Sequence, residues 1–246
     1  MSANILDVDD VTVQFGGLRA VSGASLHVTP AAITGLIGPN GAGKTTMFNV
    51  ITGLQPPTEG RITLDGRDIT KTKPHRRSRL GMARTFQRLE TFASLTSREN
   101  VLVAAEMRRG WSRERFDPGA LADELIARIG LTAAADTPVG SLPTGTARLV
   151  ELARALASKP KVLLLDEPSS GLNEDETDAM GALLKELAAD GLGVLLVEHD
   201  MRMVMDVCSF IHVLDFGQII ASGTPPEIQK SPAVQAAYLG TAEGAA

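Results

Sequence analysis

The sequence predicts an α/β fold: a parallel sheet covered by helices on both faces, preceded by an antiparallel β region and interrupted by a helical insert. Three observations carry that reading. Short apolar runs at residues 32–37, 162–165, 194–197 and 210–214 alternate with helix-patterned stretches, as buried parallel strands and their crossovers do. A glycine-rich turn joins the first of these runs to a helix. Before and around it, apolar residues alternate with polar ones.

Taken in order, Val11 and Val13 alternate with polar neighbours, and so do Leu26 and Val28. Residues 60–65 read as a strand closed by Gly66, and residues 44–52 as a helix. From about 89 to 140 the chain reads as mostly helical. Thr96 and Glu99 fit a capping box, and Leu121, Leu125 and Ile129 share one face. This stretch is the expected helical subdomain. Leu149, Leu152, Ala153 and Leu156 mark the next helix face. Residues 175–190 form another helix, and Met201, Val204, Met205 and Cys208 form a further face. Pro225, between Thr224 and Glu227, opens a short last helix, so about 224–246 reads as a C-terminal helical extension of one domain spanning 1–246.

Composition narrows the class without naming a task. With 43% apolar and 22% charged residues in 246, the chain is neither disordered nor fibrous. No apolar run approaches the ~18–20 residues of a membrane helix, and the single cysteine, Cys208, leaves no internal disulfide. A net charge of -5 speaks against nucleic acid as a partner. That charge is uneven: residues 71–115 carry twelve bases against four acids, a local +8, leaving -13 elsewhere. The basic stretch is either a solvated edge or a docking surface.

The strongest motif is Gly38-Pro39-Asn40-Gly41-Ala42-Gly43-Lys44-Thr45, which fits G-x-x-x-x-G-K-[ST] between strand and helix. At this composition the pattern has roughly a one-in-a-hundred chance of arising anywhere. Its glycines let backbone amides curl around phosphate oxygens, and the helix N-terminus adds positive potential. Lys44 would reach the terminal phosphates and Thr45 would ligate Mg2+. Asp166 and Glu167 leave the end of the run 162–165, on the sheet edge where α/β folds bind ligands. Asp166 is the expected metal holder and Glu167 the general base. His199 follows the run 194–197 and is placed to contact a γ-phosphate. Gln87 follows residues 82–85 and is placed to complete the metal shell or orient water.

Together these residues resemble the ATP-binding subunits of ABC transporters over essentially the whole chain, so the expected fold is a P-loop NTPase core of ABC type. The resemblance places Phe15 where that family stacks an aromatic on adenine. It extends the phosphate loop from Gly38 to Thr46 and makes Gln87 the glutamine loop and His199 the switch histidine. Arg84-Thr85-Phe86-Gln87, Glu198-His199-Asp200-Met201 and Ala237-Tyr238-Leu239-Gly240 look like the branched-chain amino-acid uptake branch. What the resemblance implies is an ATPase using ATP and Mg2+, paired with a second ATPase subunit, identical or different. It also implies permease subunits and, indirectly, an extracytoplasmic solute-binding protein, with this chain on the cytoplasmic face of the membrane. A soluble ABC ATPase serving as an assembly or scaffold factor is the other reading.

One stretch departs from the family. Where its signature usually reads L-S-G-G-Q, this chain has Leu142-Pro143-Thr144-Gly145-Thr146. Pro143 supplies neither a hydroxyl nor an N–H. Either Thr144 or Thr146 replaces the hydroxyl and caps the following helix, or this chain pairs with a different subunit whose signature completes the faster site.

Overall fold

The structure, a computed structural model, describes residues 4–239. Strands β1 (Leu6–Phe15) and β2 (Leu18–Val28) form a hairpin, and β3 (Ile33–Ile37) feeds α1 (Lys44–Thr52). Then come β4 (Glu59–Leu64), β5 (Arg67–Asp68), α2 (Pro74–Arg79) and β6 (Met82–Arg84). The insert contributes α3 (Ser97–Arg109) and α4 (Pro118–Arg128), followed by α5 (Thr144–Ala157). The rest alternates: β7 (Val162–Asp166), α6 (Glu174–Ala189), β8 (Gly193–Val197), α7 (Met201–Val207), β9 (Phe210–Asp215). Finally β10 (Gln218–Gly223), α8 (Pro225–Lys230) and α9 (Pro232–Leu239) close the chain. The end of the expected C-terminal extension, residues 240–246, lies outside the described residues, as does Gly240 of the last quoted string.

Two sheets result. One is antiparallel, in the order β2-β1-β4-β5; the other is β10-β9-β3-β8-β7-β6, parallel except for β10. Strands β3, β7 and β8 are buried at every position, the pattern of a sheet covered on both faces. Alternation sorts their side chains. Leu36, Leu164 and Leu195 face a core shared with α1 and the antiparallel sheet, whereas Ile37, Leu163 and Leu196 face α6 and α7. A third core joins Val101 and Ala105 of α3, Leu125 and Ile126 of α4, and Val150 and Ala153 of α5. The insert therefore closes its core on α5, outside residues 89–140.

Eight of the twelve bases in the basic stretch are exposed, as a solvated face requires, but not all of them are. Arg77 is 1% exposed and donates to the carbonyls of Val50, Ile51, Thr70 and Thr72 at 2.5–2.9 Å. It thereby satisfies orphan carbonyls at the C-terminus of α1. Burial lowers its pKa to about 10, so it stays charged at neutral pH. Arg84 and Arg108 also turn inward, each with a side chain only 7% exposed, toward Asp166 and Glu114.

Four of the nine α-helices among the described residues begin with a side-chain cap. Thr96 and Glu99 form the expected box at α3, Asp117 caps α4, Asn173 and Glu176 box α6, and Asp200 caps α7. Glu227 reaches back to the Thr224 amide at α8. Helices α1, α5 and the six-residue α2, which opens on Pro74 after Lys73, have no such cap.

Candidate functional site

Residues from four strand ends converge because β6, β7, β8 and β3 run parallel and share one carboxyl edge. The phosphate loop leaves β3 through Gly38 at φ 154°, where a Cβ would lie 1.9 Å from the Leu214 carbonyl oxygen. It enters α1 through Gly43 at φ 109°, where a Cβ would meet the Ala20 carbonyl oxygen at 2.6 Å. Both positions need glycine on conformation and on space. No side chain caps α1 and no acid lies in its first turn, so its amides and positive end remain open toward a ligand.

Asn40, Gly41, Ala42, Gly43, Lys44, Thr45 and Thr46 line one 540 Å3 cavity with Gln87, Glu167 and His199. The Lys44 ammonium folds back onto the carbonyl oxygens of Gly38 and Pro39, at 2.6 and 2.9 Å. Burial lowers its pKa, and the negative charges of Glu167 and Asp166 oppose that shift.

Glu167 is the hub of the opposite wall. Its backbone sits at φ 52° and its N–H donates to the Val197 carbonyl at 2.8 Å, holding an unfavourable conformation in place. Gln87 Nε2 donates to one carboxylate oxygen at 3.0 Å, and His199 Nε2 lies 2.6 Å from the other. An ionised carboxylate only accepts, so in that state of Glu167 the imidazole hydrogen sits on Nε2. Asp166 is buried one residue earlier and accepts from Arg84 at 2.8 Å. Arg84 also donates to Asn49 of α1 at 2.7 Å, and its guanidinium stacks over Phe48 and Phe86.

Phe15 is not brought into this cavity. It ends β1 half exposed, and the lining on that side comes from Leu18, Arg19, Ala20, Phe216 and Gly217. Thr144 does not cap α5 either: it is the first helical residue, exposed, with Pro143 at the cap position and no side-chain bond there. The chain enters α5 from extended backbone at Pro143, which puts the threonine hydroxyl one residue too late to cap.

Three supporting groups were not singled out from the sequence. Arg148 of α5 donates to the carbonyls of Phe86 and Gln87 at 3.0 and 2.8 Å. Glu151, one turn on, accepts from the amides of Phe86 and Glu90, and burial raises its pKa. Helix α5 thus grips the loop that presents Gln87. Glu198 is 3% exposed and accepts from the amides of Ser169 and His199, at 2.7 and 2.9 Å, tying the two loops beyond β7 and β8 together. Charged residues inside an amphipathic helix pattern were the available signal for Arg148 and Glu151. None set Glu198 apart from the solvent-exposed acids.

Comparison with known proteins identifies the family and the fold. The family model described as ABC transporter matches residues 21–170, and one described as branched-chain amino acid ATP-binding cassette transporter matches residues 218–244. The chain is 40% identical to the high-affinity branched-chain amino acid transport ATP-binding protein BraF of Pseudomonas aeruginosa, over 98% of this chain and 100% of the relative. It is 36% identical to the lipopolysaccharide export system ATP-binding protein LptB of Haemophilus influenzae, over 96% and 98%. Among solved structures, a nucleotide-free ATP-binding cassette from an ABC transporter superposes with a TM-score of 0.87 at 29% identity, covering 96% of this chain and 99% of that one. A dimeric cassette bound to ADP and phosphate superposes with a TM-score of 0.78 at 25% identity, covering 89% and 98%.

Proposed function

The chain belongs to the ABC transporter ATP-binding family, and from that premise we propose that it drives uptake of branched-chain amino acids or a similar small solute by hydrolysing ATP in the cavity built on Gly38–Thr46. The observation that carries the site assignment is the position of Glu167. Its carboxylate is held between Gln87 and His199 at the mouth of the cavity that the phosphate loop lines. A carboxylate held on both sides and facing a phosphate site is suited to take a proton from an attacking water. His199 orients that carboxylate and would turn its Nε2–H from Glu167 to the γ-phosphate once nucleotide is bound, while Lys44 moves from its carbonyl partners to the phosphate oxygens.

Mg2+ fits the donors present, which are all oxygen: the Thr45 hydroxyl, Asp166 and the side-chain carbonyl of Gln87. When bound, it would neutralise charge on the phosphate oxygens. Arg84 donates to the Asp166 carboxylate and ties it to α1 through Asn49, so the carboxylate is aimed before nucleotide arrives.

Cassettes of this family dimerise and work with membrane permeases. No helix among the described residues is long and apolar enough to cross a membrane, so the pathway would lie in separate chains. A 410 Å3 groove between α2, β6 and α5, lined by exposed Leu54 and Phe86 beside Glu90 and Arg154, is the surface we assign to the permease. It abuts the loop that carries Gln87, so docking there bears on the residue that touches Glu167. The bare first turn of α5, with exposed Thr144, is assigned to the nucleotide of a second cassette. A peripheral place on the cytoplasmic face and an external solute-binding protein complete the reading.

Glu167→Gln tests it in the complex purified with its permease. ATP binding should persist while solute-stimulated turnover falls at least 100-fold. Turnover at the wild-type rate would remove Glu167 as the base.

A further inference from the structure

The site assigned above has a hydrolytic end, and sheet order shows where its other end lies. In β10-β9-β3-β8-β7-β6, Glu167 and His199 follow strands on the β8 side of β3, while the β9–β10 turn lies on the opposite side. A nucleotide laid along the phosphate loop, with its terminal phosphate toward Glu167, therefore directs its base toward that turn.

Phe216 stands there. It lines the same cavity as Leu18, Arg19 and Gly43, yet it is 88% exposed. Its φ of 43° is a conformation that a bulky aromatic rarely adopts. Nothing in the hydrophobic cores accounts for the ring, and the backbone favours glycine or asparagine. The turn is held firmly all the same. The Gly217 amide donates to the Ala42 carbonyl at 2.9 Å, and the Gly217 carbonyl accepts from the Ser22 amide at 2.8 Å. The backbone that carries the phenyl ring is thereby tied to the phosphate loop on one side and to β2 on the other. Phe15, by contrast, does not line the cavity.

We propose that Phe216 is a nucleobase-contacting residue, its ring packing on the purine of the bound nucleotide against Leu18 and Arg19. The inference rests on the phosphate loop being the nucleotide site. Stacking on an aromatic acts on the base and leaves the phosphates untouched, which separates it from every contact at the other end.

Titration calorimetry on the full chain with ATP and with inorganic tripolyphosphate tests the proposal. Phe216→Ala should weaken ATP roughly fivefold or more and leave tripolyphosphate within about twofold, and Phe216→Trp should keep ATP affinity. Phe216→Asn, which suits the backbone, should raise the thermal midpoint while weakening ATP, separating ligand contact from structural support. Unchanged ATP affinity in Phe216→Ala, or equal weakening of both ligands, overturns the role of Phe216. A wild-type chain that binds neither ligand overturns the phosphate-loop reading and the inference with it.

Discussion

Helices α1 and α5 both begin without a side-chain cap, while α3, α4, α6 and α7 are capped by Thr96, Asp117, Asn173 and Asp200. The two bare ends meet different surroundings. Around α1, this chain supplies Lys44, Glu167, Gln87 and His199 within one cavity. Around α5, Pro143 and Thr144 are exposed, and Gly145 is packed so closely that a Cβ would lie 2.9 Å from both Glu176 and Leu172. One end comes with its chemistry and the other presents only amides and a hydroxyl. A bare helix end that its own chain does not complete is what a composite site needs, since the missing half arrives with a second subunit.

The largest expected effect strips the complete end. Lys44→Ala removes the cation carried by the phosphate loop itself; Arg19, the other cation of the cavity, lines its far side with Leu18 and Phe216. Turnover of the assembled complex should fall about 100- to 1,000-fold, with weakened ATP binding to the isolated chain. Hydrogen exchange in the first turn of α5 should not change. ATP affinity within twofold of wild type would mean that the α1 end is not the self-sufficient half.

A smaller effect is expected where the two ends are joined. Arg148 sits one turn into α5 and holds the Gln87 loop by two carbonyls, so any movement of α5 reaches Glu167 through it. Arg148→Ala also leaves buried Glu151 without its ion-pair partner. Denaturant unfolding should show a loss of about 3 kcal/mol. Turnover should drop roughly tenfold at unchanged ATP affinity, a pattern that marks lost positioning rather than lost binding. If stability falls while turnover per folded enzyme stays constant, α5 and the Gln87 loop are structurally joined but not functionally coupled.

How much of this was readable beforehand follows the same division. The α1 end was legible because its information is local: the glycines, Lys44 and Thr45 are consecutive, and the helix bounds of 44–52 agree with the observed Lys44–Thr52. The capping box at Thr96 and the buried strands were local too. What stayed hidden depends on partners distant in sequence. Arg77 looked like one more solvated base because its acceptors, Val50 and Ile51, lie 27 and 26 residues away. Arg148 and Glu151 meet Phe86 across more than 60 residues. The edge strand β10 lacks the continuous apolar run of its neighbours, and only its pairing with β9 defines it. Phe216 gave no periodic signal, because a single aromatic in a turn reads the same whether it is idle or functional.

The smallest expected effect decides between the two accounts of the α5 end. Pro143 already has the extended backbone of a cap residue, at φ -56° and ψ 152°, so serine fits without rearrangement. Its hydroxyl would accept from an amide of the first turn, and Pro143→Ser should raise stability by about 0.5–1 kcal/mol in thermal unfolding. The consequence for turnover is where the accounts part. If exposed Thr144 already supplies the hydroxyl that a neighbouring nucleotide needs, the substitution should leave turnover of the assembled complex unchanged. If this chain's signature is the slow half of a mixed pair, added serine should raise turnover at the site it completes, measured one site at a time with Lys44→Ala in this chain silencing its own phosphate loop. A gain in stability without any gain in turnover would assign Pro143 to the shape of the helix entry alone and leave Thr144 as the group that faces the partner's nucleotide.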